Sequence, residues 1–186
     1  MPANEPAISL SDKTEFSHLF SSCQVQVYRY LYGMIGGPLD EVEDLTAETF
    51  SRAWMARHRF NGSRADARGW LLTIARNLAF DRHRRQKASG VELPIEQLPA
   101  LAGGSTPEEE HLQEEQRENL WRLLQKLPAE TKEILVLRYI LEWRVVEIAA
   151  HLEKKENTIS MNIHRALKRL QQLFTEESHS TALGDE

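Results

Sequence analysis

Phe16, Leu19, Phe20, Cys23, Val27 and Leu31 recur every three or four residues, and this spacing predicts an amphipathic helix over 16–32. The stretch "GMIGGPLD" then breaks the pattern with three glycines and a proline. A second helix is predicted to start near Pro38 and run to about Phe60, with Glu41, Glu43 and Asp44 in its early turns, where the helix dipole favours negative charge. "NGSRADARG" reads as a polar loop, and a third helix from about Asp66 places Leu71, Ile74, Ala75 and Leu78 on one face. The segment "ASGVELPIEQLPALAGGST" has two prolines, three glycines and no sustained period, which suits a linker between domains better than a loop inside one. Thr106, Pro107 and the glutamates after them form a helix-start signal. Further helices are expected near 128–141, 145–152 and 157–174, followed by a frayed tail.

No segment alternates like a strand, so the expected fold is all-α: two small helical domains on a flexible linker, the second a helix-turn-helix. The expected bounds are 1–87, a linker over 88–106, 107–175, and a tail over 176–186. Composition is ordinary for a globular chain, with 41% hydrophobic and 27% charged residues. The first residues have neither a basic start nor an apolar run, and nowhere is there a stretch of roughly 18 apolar residues, so no membrane insertion is expected and the place of action is expected to be the cytoplasm. Cys23 is the single cysteine, which excludes an internal disulfide and a multi-cysteine metal site; it reads as a small buried hydrophobe.

The net charge of -5 hides a strong asymmetry. From Arg52 to Lys87 there are ten basic residues against Asp66 and Asp81; from Glu92 to Glu118 there are eight glutamates against Arg117. Such a division points to a polyanion partner for the first segment and a solvated, shielding spacer for the second. In "LTIARNLAFDRHRRQ", burying the apolar face turns Thr73, Arg76, Asn77, Phe80 and Arg84 outward. Guanidinium groups contact phosphates, an asparagine amide pairs with a base edge, and an aromatic ring stacks on an unpaired base. The competing reading is a solvated helix end whose arginines complement the dipole, with Phe80 packed on a neighbour.

Nearer the C-terminus, Ile148, Ala149 and Leu152 give a short apolar helix, and Ile159, Ile163, Ala166 and Leu170 give a second after a brief polar turn, with Asn157 as candidate N-cap. In such an arrangement the second helix can enter a DNA major groove, presenting Met161, Arg165 and Lys168 beside Thr158 and His164. Periodicity alone fits a plain helical hairpin equally well.

Taken together, these motifs resemble those of the small sigma factors of bacterial RNA polymerase, the extracytoplasmic-function group. "DEVEDLTAETFSRAW" is similar to that family's polymerase-binding helix, "GWLLTIARNLAFDRHRR" to its helix for the downstream promoter element, and "LPAETKEILVLRYILEWRVVEIAAHL" with "NTISMNIHRALKRL" to its helix-turn-helix for the upstream element. The resemblance implies a non-enzymatic initiation factor, without cofactor or metal, whose partners are core RNA polymerase, promoter DNA and an anti-sigma protein. Asp44, Leu45, Glu48, Phe50 and Arg52 would dock on polymerase. Asn61, Ser63 and Arg64 would line a pocket for a flipped base; their loop also fits an ordinary polar turn. Arg76, Asn77, Arg82, Arg84 and Arg85 would contact the downstream element, and Thr158, Met161, Asn162, Arg165 and Lys168 the upstream one.

This chain departs from the family pattern in its C-terminal domain. Glu153 stands where a glycine is usual in the turn, and Ser160, Met161 and Asn162 stand where basic and small residues are common. The alternatives are a stand-alone helix-turn-helix regulator that binds DNA without polymerase, and a scaffold that binds polymerase without opening DNA. An enzyme would need Asp44 and Glu48 as an acid/base pair, but the sequence supplies no nucleophile, metal set or phosphate loop to accompany them.

Overall fold

The computed structural model of the chain describes residues 7–89 and 119–182. These fall in two compact units, one built from segments within Met1–Ile35 and Leu39–Glu92, the other including Leu93–Glu186. The acidic segment, the helix start at Thr106 and most of the expected linker lie outside the described residues.

The first unit holds three helices: α1 (Lys13–Ile35), α2 (Leu39–Ala56) and α3 (Arg64–Ser89). Asp12 caps α1, its Oδ1 accepting the Thr14 N–H at 2.8 Å. Gly36 and Gly37 end it with φ of 80° and 103°, in the left-handed region that residues with a side chain avoid. The predicted second helix stops four residues early, and Arg57–Arg59 tighten into a 3₁₀ turn. Each helix packs on the other two. Leu19, Cys23, Val27 and Leu31 of α1 meet Val42, Phe50 and Ala53 of α2 and Leu71, Leu72, Ala75, Leu78 and Ala79 of α3, all buried. Ile74, expected in the core, is only half-buried, because Leu72 and Ala79 rotate the inward stripe of α3 to one side. Burial pushes the Cys23 thiol pKa up, in keeping with a packing role.

In the second unit residues 119–125 lie in a helix, α4. It is followed by α5 (Ala129–Leu135), α6 (Val145–His151) and α7 (Glu156–Ala182). The helix expected over 128–141 is not uniform: α5 passes into a π-helical turn over Val136–Ile140. There the Leu141 N–H donates to the carbonyl of Val136 at 3.0 Å. Lys132, Glu133, Ile134 and Leu135 are all buried, so the last turn of α5 is enclosed on every side. Two predicted boundaries of α7 change. Its first helical bonds run to the Lys155 carbonyl, from Thr158 and Ile159 at 2.9 and 3.1 Å, so Asn157 lies inside the first turn and is not the cap. The helix also continues beyond 174, to Ala182, and buried Leu173 carries the apolar stripe a turn past Leu170. Ile148, Ala149, Ile159 and Ala166 form the seam between α6 and α7.

The turn between these two helices keeps the conformation that glycine favours, although Glu153 occupies it. Lys154 N–H donates to the Ala149 carbonyl at 2.9 Å and Glu153 N–H to the Ala150 carbonyl at 3.4 Å, a Schellman motif that requires a left-handed residue at Glu153. Glu153 adopts φ of 53°. A non-glycine residue there is disfavoured by about 1 kcal/mol. Glu153→Gly is therefore expected to stabilise the helix-turn-helix by about 1 kcal/mol in urea denaturation, leaving its helical circular dichroism unchanged.

Candidate nucleic-acid and polymerase interface

On α2, Asp44 is exposed, and its side chain has no hydrogen-bond or ion-pair partner among the described residues. Arg52 Nε donates to Glu48 Oε1 at 2.7 Å, with both side chains nearly half exposed. Spacing by four residues puts Asp44, Glu48 and Arg52 on one face, flanked by half-buried Leu45. Phe50 is elsewhere: it is 5% exposed and stands edge-on to Phe20 at 4.7 Å, so it shapes the support beneath this face and does not present a surface.

The second face belongs to α3. Thr73, Asn77, Arg84 and Arg85 are exposed; Arg76 and Phe80 are half-buried, with the Arg76 guanidinium 4.6 Å above the Phe80 ring. Arg84 pairs with Asp81 on the same helix, whereas Arg85 has no side-chain partner among the described residues. Arg82 turns inward. Its Nε and one terminal nitrogen hold both carboxylate oxygens of Glu41 on α2, at 2.8 and 2.7 Å, and its other terminal nitrogen donates to Gln86. With 12% of its side chain exposed, Arg82 joins α3 to α2 and offers little to a partner. Sequence spacing carried no sign of this pair, because the partners lie 41 positions apart.

The loop before α3 is more constrained than its polar composition suggested. Ser63 is the N-cap: its N–H and hydroxyl both donate to Asp66 Oδ2 at 2.8 Å, while Asp66 N–H lies 3.3 Å from Ser63 Oγ. These bonds hold the Asp66 carboxyl below its ordinary pKa. Arg64 pairs with Glu15 of α1 at 2.8 Å. The loop expected over 61–69 ends at Ser63, because α3 begins at Arg64; of the three residues expected to touch a base, exposed Asn61 alone has no side-chain partner among the described residues.

On α7, Thr158, Met161, His164, Arg165 and Lys168 are exposed, as the burial of Ile159 and Ala166 requires, and Asn162 is half-buried. Lys154 in the turn reaches Glu130 at 3.4 Å. Among the described residues no group of three or more His, Cys, Asp or Glu side chains could hold a metal ion, and no helix is long and apolar enough to cross a membrane.

The Sigma-70 region 2 family model matches residues 19–89, the span of the three-helix unit, and the Sigma-70, region 4 model matches residues 117–170, which contain the helix-turn-helix. A relative, the ECF RNA polymerase sigma factor BldN of Streptomyces coelicolor, is 31% identical over 88% of this chain and 61% of its own length. The chain belongs to the ECF sigma factors. The ECF sigma factor SigW of Bacillus subtilis is 28% identical, over 88% of this sigma factor and 90% of its own length. The fold is likewise similar to that of the sigma factor RpoE solved with the anti-sigma factor NepR from Bartonella quintana, with a TM-score of 0.66 at 23% identity over 87% and 97% of the two chains. CnrH, solved with the cytosolic domain of CnrY, gives a TM-score of 0.64 at 24% identity over 90% and 93%.

Two outcomes test the site geometry. A double-mutant cycle on Arg82→Ala and Glu41→Ala is expected to return a coupling of about 1 to 2 kcal/mol, above the ~0.5 kcal/mol expected for the exposed Arg84 and Asp81 pair, both read by urea denaturation. The lowered Asp66 pKa adds stability that is complete above the ordinary carboxylate range and is lost as pH falls through the lowered value. The stability difference between wild type and Asp66→Asn should therefore shrink as pH drops from about 5 to about 2.

Proposed function

We propose that this sigma factor binds core RNA polymerase through the Asp44, Leu45, Glu48 and Arg52 face of α2, reads the downstream promoter element with α3 and the upstream one with α7, and helps hold the opened strand. Core polymerase and promoter DNA are its partners, the cytoplasm is its place of action, and its role is non-catalytic. The observation that carries the reading is the joining of two faces on one small core: an acidic face with an unpartnered carboxylate on α2, and a face on α3 bearing Asn77, Arg84 and Arg85. The first fits a partner protein with complementary charge, and the second fits a phosphate backbone and base edges. Arg82 acts here by holding α3 on α2, and Phe50 by supporting the polymerase face from beneath.

Region 4 carries fewer cations on its reading helix than the family pattern, so Thr158, Met161, Asn162, Arg165 and Lys168 make a weak reader by themselves. Attachment to the same polymerase as region 2 raises the effective concentration of that reader at its element. An anti-sigma protein is the regulatory partner, a reading supported by the complex in which RpoE was solved with the anti-sigma factor NepR.

Reconstitution with core polymerase tests the assignment. Asp44→Lys is expected to weaken core binding at least tenfold, about 1.4 kcal/mol, without altering the circular dichroism of the free protein. A stand-alone regulator would instead footprint its site equally well with or without this substitution and without polymerase. Arg84→Glu with Arg85→Glu should leave core binding intact and abolish start-site selection in run-off transcription; intact selection would remove α3 from the reading face.

A further inference from the structure

The segment before α1 crosses the loop that precedes α3. Ile8 N–H donates to the Gly62 carbonyl at 2.9 Å, forming an isolated antiparallel bridge. Two residues later Leu10 is fully buried, and two residues after that Asp12 caps α1. The Ile8 amide is thus tied at short range to a side chain locked in the core. Glu15 adds a second tie across the same gap by accepting from Arg64 at 2.8 Å. From below, Gly62 is boxed in: a Cβ there would come within 3.0 Å of Asp66 Cβ and 3.1 Å of the Phe60 ring. Ser63 is committed to Asp66. The backbone of the loop is therefore held from both sides, while the side chain of Asn61 remains available.

From this geometry we infer that residues 8–12, just ahead of α1, are a positioning strap, in which buried Leu10 and the Ile8 amide pre-set the Asn61–Ser63 loop for an extruded, single-stranded base. The inference rests on the sigma-factor reading of that loop. An extruded base gains little from a loop that must first be ordered, because the ordering entropy offsets part of every contact made. A loop fixed before the DNA arrives avoids that loss. The strap contributes no contact of its own to the base; Ile8 and Leu10 act through the position of Asn61.

Holoenzyme reconstituted from the full chain and core polymerase provides the test, with a single-stranded oligonucleotide carrying the non-template strand of a promoter selected by run-off transcription. Ile8→Pro removes the N–H that meets Gly62 and leaves Leu10 in place; Leu10→Asp unseats the anchor, and Leu10→Met restores an apolar one. Both disruptive variants should bind the oligonucleotide about tenfold more weakly, with core affinity and binding of a duplex upstream element unchanged, and Leu10→Met should recover most of the loss. A merely structural role would lower all three affinities together and would overturn the inference. So would wild-type affinity in Ile8→Pro, which decides the matter if Leu10→Asp does not fold. A wild-type holoenzyme that shows no preference for the non-template strand would instead bring down the assignment of the loop itself, and the strap with it.

Discussion

A helix can bury one face, and in region 2 the way α3 uses its buried face governs everything else. Leu71, Leu72, Ala75, Leu78 and Ala79 lock α3 against both other helices. With that stripe fixed, the 100° step between residues leaves Asn77 and Arg84 no direction but outward, whereas Arg85, in line with Leu78, is exposed because it lies past Ala79, the last buried residue of the stripe. The basic face follows from apolar packing on the opposite side of the same helix. Each buried large side chain contributes about 1.5 to 3 kcal/mol, whereas an exposed ion pair contributes about 0 to 1, so packing decides the orientation and charge accepts it.

The basic region is not a uniform patch. Arg82 grips Glu41 and Arg84 leans on Asp81, while Arg76 covers Phe80. The count of arginines in the sequence therefore overstates the charge offered to a phosphate backbone. What the inward arginine supplies is rigidity between α2 and α3. A planar guanidinium that holds two carboxylate oxygens fixes angle as well as distance, which a lysine ammonium would not do. Through it, the acidic and basic faces are held in one register.

Region 4 meets a different constraint. Its helices α6 and α7 are joined by a turn whose hydrogen bonds demand a left-handed residue, and Glu153 adopts that conformation in place of glycine. The motif survives because the buried seam of Ile148, Ala149, Ile159 and Ala166 outweighs a local strain of about 1 kcal/mol. Lys154 in the turn reaches back to Glu130 of α5, which offsets part of its charge.

Helix identity, the order of the domains, the exposed face of α7 and the general basic character of α3 were all legible in the sequence, because each follows from periodicity, caps and breakers acting within a few residues. Read with the resemblance, the same local motifs carried the family. Missing from that reading were the π-helical turn after α5, the burial of Phe50, the shift of Ile74 out of the core, the inward turn of Arg82 and the strap formed by Ile8 and Leu10. Glu41 and Arg82, like Ile8 and Gly62, are far apart along the chain and meet only when three helices close on one core. The one-dimensional pattern determined which faces exist; which side chains on those faces remain available to a partner was decided by contacts that only the folded chain brings together.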